Sequence, residues 1–300
     1  TELNFLENPQ LKDIFAESLN AKTILTGIRL YIPDSEFIEG ETLLFLDEIQ
    51  ECPNAITALK FLTQKEGLDV IATGSALGMA YNRVTSFPVG YVEYLDMYAL
   101  DFKEFLWSQG IEDEMIDKLE EYFLSKSVVP LAIHERMLAL LKRYMVLGGM
   151  PEVINAYNHN EDFKAADSVQ RTIYRDYLAD IARYAGAADK IKAESCYKSI
   201  PQQLGKENHK FQYKIVEKNG TARKSESSID WLISANMAYA VNNVSFIEYP
   251  LMSHETDNNF RIYPSAIGLL VCAYDFSLKR ALLGDNIYET AVEPILKTAK

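Results

Sequence analysis

The sequence predicts an α/β protein: an incomplete parallel sheet, then a helical region, then a module of three helices and a β-hairpin. Three observations carry this. Residues 43–50, LLFLDEIQ, are an apolar run of strand length ending in two acids. A second run, DVIATGS, follows after one helix-length segment. From about residue 188 the composition turns basic, and the stretch closes on two strand-like segments.

The elements follow in order. Leu3–Phe5 reads as a short strand. A helix then starts with Asn8 as N-cap and Pro9 as first helical residue, and Leu11, Ile14, Phe15 and Leu19 form its apolar stripe. The continuous run ETLLFLDEIQ suits a strand buried on both faces, as in parallel sheets. Pro53 opens a helix with Ile56, Leu59 and Leu62 on one side, and Gly67 closes it. With the strand DVIATG this makes a βαβ unit. The two strands then bring Asp47-Glu48 and Thr73-Gly74-Ser75 to one edge, where doubly wound sheets bind ligands.

A third strand is expected at about Tyr91–Tyr94, and a helix start near Asp101. Residues 112–145 carry long helical patterns, broken by VLGGMPEV; another helix covers about Phe163–Tyr184. Beyond 188, AADKIKAESCYKSIPQQLG and TARKSESSIDWLISANMAYAV read as helices, with short, basic KFQYKIVEKNG between them. VSFIEYP and NFRIYP read as two strands joined by a polar loop. Helices followed by a hairpin are the pattern of a winged helix-turn-helix.

Bulk properties narrow the function classes. The formal charge is −13, which disfavours a protein that coats nucleic acid over its whole surface. The charge is uneven: residues 190–232 hold nine Lys/Arg against five Asp/Glu, while residues 1–189 sum to −15. No apolar run reaches the roughly 20 residues of a membrane span, and Thr1-Glu2-Leu3-Asn4 lacks the features of a signal peptide. Cys52, Cys196 and Cys272 are scattered, as are the four histidines, so neither a disulfide framework nor a zinc site is expected. A reducing, cytoplasmic setting fits.

The acid pair carries the chemistry. A carboxylate at a strand C-terminus can hold Mg²⁺, and its neighbour can deprotonate an attacking water. Asp47 takes the metal role and Glu48 the base role. Thr73 or Ser75 on the next strand suits a sensor of the γ-phosphate of ATP. The plain alternative is that both acids cap the following helix. With ATGS ending the next strand, the pattern points to a P-loop NTPase-like sheet of the additional-strand type. The phosphate-binding loop itself, G-x-x-x-x-G-K-[ST], is absent from the 300 residues; Gly205-Lys206 has Ile200 and Glu207 at its defining positions.

The segments ELNFLENPQLKDIF, LLFLDEIQECPNAITALKFL, VIATGSALG, SFPVGYVEYLDMYALDFKEFL, GGMPEVINAY and KFQYKIVEKNGTARKSESSIDWL occur in this order. In this the chain resembles prokaryotic AAA-type ATP-binding proteins with an ATPase core, a winged helix and a C-terminal nuclease-like domain. The resemblance implies a Walker B at Leu43–Glu48, a sensor-like strand at Val70–Ser75, and ATP with Mg²⁺ as cofactors. Gly149-Met150-Pro151 matches a Gly-x-Pro module that touches the nucleotide in related signal-transducing ATPases, which puts Pro151 among the cofactor-binding residues. Members carry the phosphate loop before the segment matching Leu3–Phe5 and continue past that matching Leu282–Tyr288. The chain is therefore expected to be the middle of a longer protein, truncated at both ends and inactive alone.

The expected division is an ATPase core at 1–110, a helical lid at 111–187, a winged helix at 188–276 and the start of a further region at 277–300. Lys210, Lys214, Lys218, Arg223 and Lys224 are candidates for DNA phosphate contact, although winged helices also bind proteins. Arg171 and Arg175 suit a sensor pair or, more plainly, a solvated face shared with Asp176 and Asp180. The alternative to an ATPase switch is a non-catalytic DNA- or protein-binding module on a degenerate ATPase core.

Overall fold

Two apolar strands that each end in polar residues need partners along their length, and the parallel sheet supplies them. The computed structural model describes residues 1–74, 88, 90–184, 190–206, 210–217, 220–274, 279 and 282–284. The chain forms two compact units, residues 1–96 and 97–300.

The first unit is built on three parallel strands in the order β1 (Glu2–Asn4), β2 (Leu43–Asp47), β3 (Asp69–Ala72). After β1, a 3-10 turn over Pro9–Lys12 leads into the short α1 (Asp13–Ala16). Asn8 stands at the cap position without a side-chain cap bond, and the expected single helix stops before Leu19. A new helix, α2 (Ala21–Tyr31), starts where the Asn20 side chain accepts from the backbone N–H of Lys22 and Thr23. Helix α3 runs Pro53–Glu66 and ends at Gly67 in the left-handed region. Leu3, Phe5, Leu44 and Leu46 of the strand region pack with Phe15, Ile24, Ile28 and Leu62 of the helices.

One expectation about β2 is corrected. Leu44 and Leu46 are fully buried, but Leu43 is 44% exposed. The strand alternates, because α2 and α3 join their core to one face of it. A second correction concerns residues 91–94, which form no strand. Tyr91, Tyr94, Leu95, Met97 and Tyr98 lie exposed, and aromatic β-propensity makes a strand only where a neighbour pairs with it.

The second unit is largely helical: α4 (Phe102–Ser108), α5 (Asp113–Leu124), α6 (Leu131–Leu147), α7 (Pro151–Asn160), α8 (Phe163–Tyr184), α9 (Lys190–Leu204), α10 (Tyr213–Val216) and α11 (Ala222–Ser234). An antiparallel pair, β4 (Ala238–Val244) with β5 (Glu255–Pro264), and α12 (Ile267–Cys272) complete it. Asp101 and Glu104 form a reciprocal capping box at the start of α4. Phe102 and Phe105 of α4 lie 5.5 and 5.3 Å from the ring of Tyr144 on α6.

The first hairpin strand is also corrected. It was expected at VSFIEYP, residues 244–250, and lies instead at Ala238–Val244. Asn236 takes a left-handed conformation directly after α11, so the chain reverses there and pairing begins at once, Ala238 opposite Pro264. Phe246, Ile247 and Tyr249 are left exposed beyond the strand. The second strand contains NFRIYP as expected.

The end of α6 is a close packing point. The Gln170 side-chain amide donates to the carbonyls of Val146 (2.9 Å) and Leu147 (2.6 Å), which a helix terminus otherwise leaves without partners. Gly148 then turns with φ +73, and a Cβ there would meet the backbone N of Gly268 at 2.5 Å. All three cysteines are free and buried. Among the described residues no helix is long and apolar enough to cross a membrane.

Candidate functional site

The parallel register puts three polar side chains in one row at the C-terminal edge of the sheet. Asn4 stands opposite Asp47, and β3 continues the ladder to Thr73, whose N–H donates to Leu46 O at 2.9 Å. Asp47 is the centre of the row. Its Oδ2 accepts from Asn4 Nδ2 at 2.8 Å, and its Oδ1 accepts from the Glu48 N–H at 3.0 Å and from the Thr73 hydroxyl. Asn4 is itself fixed, since its Oδ1 accepts from the N–H groups of Leu6 (3.0 Å) and Glu7 (2.7 Å). That leaves its amide nitrogen to face the carboxylate.

Glu48 follows the strand end in a left-handed conformation, φ 54 and ψ 44. A non-glycine residue there carries local strain of the kind that clusters at functional sites. The turn is tied to the sheet by the Ile49 N–H, which donates to Thr73 O at 3.0 Å. The Glu48 carboxylate accepts from the Gln50 side-chain amide. The helix-capping alternative does not describe this arrangement: α3 starts at Pro53, and its cap position, Cys52, has no side-chain cap bond.

The two acids differ in how fully they are engaged. An ionised carboxylate offers about four lone-pair sites. Asp47 has three donors on it, which leaves room for one further bond. Among the described residues no group of three or more His, Cys, Asp or Glu could hold a metal. A single, firmly oriented carboxylate with one open position fits Mg²⁺, which keeps several waters and takes few protein ligands.

Of the predicted site residues, Asp47, Glu48 and Thr73 come together at this edge, and Ser75 lies outside the described residues. Pro151 is the exposed first residue of α7, in the second unit. Lys210 is partly buried and Lys214 exposed, Arg223 and Lys224 fall in the first turn of α11, and Lys218 lies outside the described residues.

The Arg171 side chain is 41% exposed and pairs along its own helix. Its Nε donates to Asp167 at 2.8 Å, and Asp167 also takes the buried Lys279 ammonium at 2.5 Å. Lys279 bonds Gln170 Oε1 as well, so the cluster links α8 to the cap of α6. Burial would raise the Asp167 carboxyl, but the hydrogen bonds from Lys279 and Arg171 outweigh it and hold the group below its ordinary value.

Sequence reasoning missed Asn4 and Gln50. Asn4 left one signal, a turn-forming side chain at a strand end. Gln50, a neutral amide inside a turn, left none.

Residues 3–106 match the family of AAA domains. This match supports an AAA-type, P-loop NTPase-like ATPase, and with it nucleotide binding in general. Residues 138–280 match a domain of unknown function, DUF8612. No curated protein matches the chain. A solved structure, the Walker-type ATPase PABY2304 of Pyrococcus abyssi, is similar at 12% identity with a TM-score of 0.47, over 91% of this chain and 83% of that one.

Proposed function

We propose that the chain serves as a nucleotide-dependent switch whose ATP hydrolysis uses a Walker B pair, Asp47 and Glu48. The observation that carries this is the row Asn4–Asp47–Thr73 across three parallel strands, with Glu48 turned out of the ladder directly after it.

Asp47 would hold Mg²⁺, which when bound would supply positive charge to offset that of the nucleotide phosphates. Asn4 and Thr73 keep the Asp47 carboxylate in one orientation. Glu48 accepts a proton from water, the water oxygen bonds to the γ-phosphorus, and the bond to the departing ADP oxygen breaks. Ser75 is the γ-phosphate sensor in this proposal, since the Thr73 hydroxyl donates to Asp47. Pro151, with Met150, passes the nucleotide state onward. A phosphate-cradling loop of the form G-x-x-x-x-G-K-[ST] is not among these 300 residues.

Glu48→Gln in the natural full-length protein tests the base assignment. Nucleotide binding is expected to persist while turnover falls about 10²- to 10⁴-fold. Hydrolysis at the wild-type rate would refute the role of Glu48.

A second reading is favoured by the order α9, α10, α11, β4, β5, which is that of a winged helix. In it, Lys210, Lys214, Arg223 and Lys224 contact duplex DNA phosphates, or this module takes a protein partner. Four phosphate contacts would give a log–log salt slope of about −4. No binding at low salt would leave the protein partner alone.

A further inference from the structure

The turn after β2 contains a polar side chain that packing does not explain. Gln50 is only 9% exposed, between buried Ile49 and the turn that leads to Cys52, the cap position of α3. Its amide nitrogen donates to Glu48 Oε2. Its other polar atom, Oε1, is fully buried and has no hydrogen-bond partner among the described residues.

A buried carbonyl without a donor destabilises the fold, and a methionine of similar length would avoid that penalty. The side chain is therefore poorly suited to its surroundings except for the one bond to Glu48. A buried group of this kind calls for an explanation, and a role at a functional site is one of them. Swapping the amide atoms would not help, because Oε1 would then face a carboxylate oxygen.

The surroundings say what the bond does. Glu48 has left the strand ladder in a left-handed turn pinned on both sides, by Ile49 N–H to Thr73 O and by Glu51 N–H to Glu48 O at 2.9 Å. The backbone at Glu48 is thus fixed, while a glutamate side chain keeps several rotors of its own. Among the described residues the Gln50 amide is the one donor on this carboxylate. It occupies Oε2 and leaves Oε1 open.

We propose that Gln50 is the positioning residue of Glu48: its amide holds Oε2 so that Oε1 presents a fixed lone pair to the attacking water. The proposal rests on reading Asp47–Glu48 as a Walker B pair. Gln50 touches neither substrate nor metal in it; its effect passes through Glu48.

The test is Gln50→Met in the natural full-length protein, which keeps the side-chain length and removes the donor. The expected result is a fall in kcat of about 10- to 100-fold, with KM for ATP within about twofold. Thermal stability should stay equal to wild type or rise, because an unsatisfied buried oxygen has gone. A wild-type kcat in Gln50→Met would overturn the proposal, and so would a loss of activity that tracks a lowered melting temperature. Gln50→Glu, of nearly the same shape, should lose turnover as well, since it sets a second acid against Glu48; full activity in it would count against the donor. Glu48→Gln run in parallel separates the two readings. If it hydrolyses ATP normally, the Walker B assignment fails. If it is silent while Gln50→Met is fully active, only the role of Gln50 fails.

Discussion

Gly149→Ala should destabilise the second unit by about 3–5 kcal/mol, and the reason is backbone contact. A Cβ at Gly149 would lie 2.0 Å from Leu100 O and 2.8 Å from Leu100 N, against an ordinary contact of 3.4–4 Å. Leu100 would have to retreat by about 1.4 Å. It is held on both sides: its N–H donates to Gly149 O at 2.8 Å, and its carbonyl accepts from the Tyr144 hydroxyl at 2.9 Å. The next residue, Asp101, is locked in the capping box of α4. Retreat therefore breaks two hydrogen bonds, about 1 kcal/mol each, on top of about 1–3 kcal/mol of overpacking. At roughly 2–4 °C per kcal/mol for a unit of this size, the melting temperature should fall by about 6–20 °C. Gly110→Ala is the internal control. Gly110 has φ +75 but nothing within 4 Å of an added Cβ, so it isolates conformational strain, about 1 kcal/mol. Thermal and urea melts of both variants decide the matter. A Gly149→Ala protein that melts within about 3 °C of wild type, or above Gly110→Ala, would refute the packing argument.

Three further outcomes are expected. Tyr144→Phe removes the bond to Leu100 O and should lose about 1 kcal/mol at neutral pH. Burial first, then Asp101 and Glu104, push the Tyr144 phenol up to about 12, so the wild type should lose stability as pH rises from the ordinary tyrosine range toward 12, and the variant should lose less. Asp167→Asn leaves the buried Lys279 ammonium without its carboxylate, with an expected loss of about 3–5 kcal/mol, whereas Lys279→Met leaves Asp167 its bond to Arg171 and should lose less; a double-mutant cycle by urea melts measures the coupling. Because the Asp167 carboxyl is held low, its contribution is present above the ordinary carboxylate range and lost as pH falls through the folded value, so Asp167→Asn should flatten the acid limb of the stability profile.

The elements that local chemistry punctuates were legible. Pro53 and Gly67 bracket α3, Asp101 opens α4, and the periodicity over 163–184 coincides with α8. What failed was propensity without a partner. Residues 91–94 and 244–250 are richer in aromatic and β-branched side chains than several real strands, yet neither stretch became a whole strand. Pairing decided against them: β4 starts where Asn236 reverses the chain, and its register is closed by Ser265 N–H to Met237 O at 3.0 Å. Such constraints are long-range and leave no mark on the residues themselves.

The candidate site divides along a similar line, but by charge. Two adjacent carboxylates after an apolar run are conspicuous because burying them unpaired is unfavourable. Beside the Thr73 hydroxyl, their side-chain partners are neutral amides, which composition and spacing do not single out. Asn4 becomes a partner of Asp47 only through the parallel register that sets the two side by side, 43 residues apart in sequence. Gln50 becomes a partner of Glu48 only because the backbone turns left-handed between them and Asp47. The donors also differ in number between the two acids. Three donors immobilise Asp47, while one donor steadies Glu48 and leaves its second oxygen open, which is the division the proposed mechanism uses. An exchange of roles between the two acids would need both donor sets to be rebuilt, and this asymmetry is why the proposed mechanism gives the base role to Glu48 and not to Asp47.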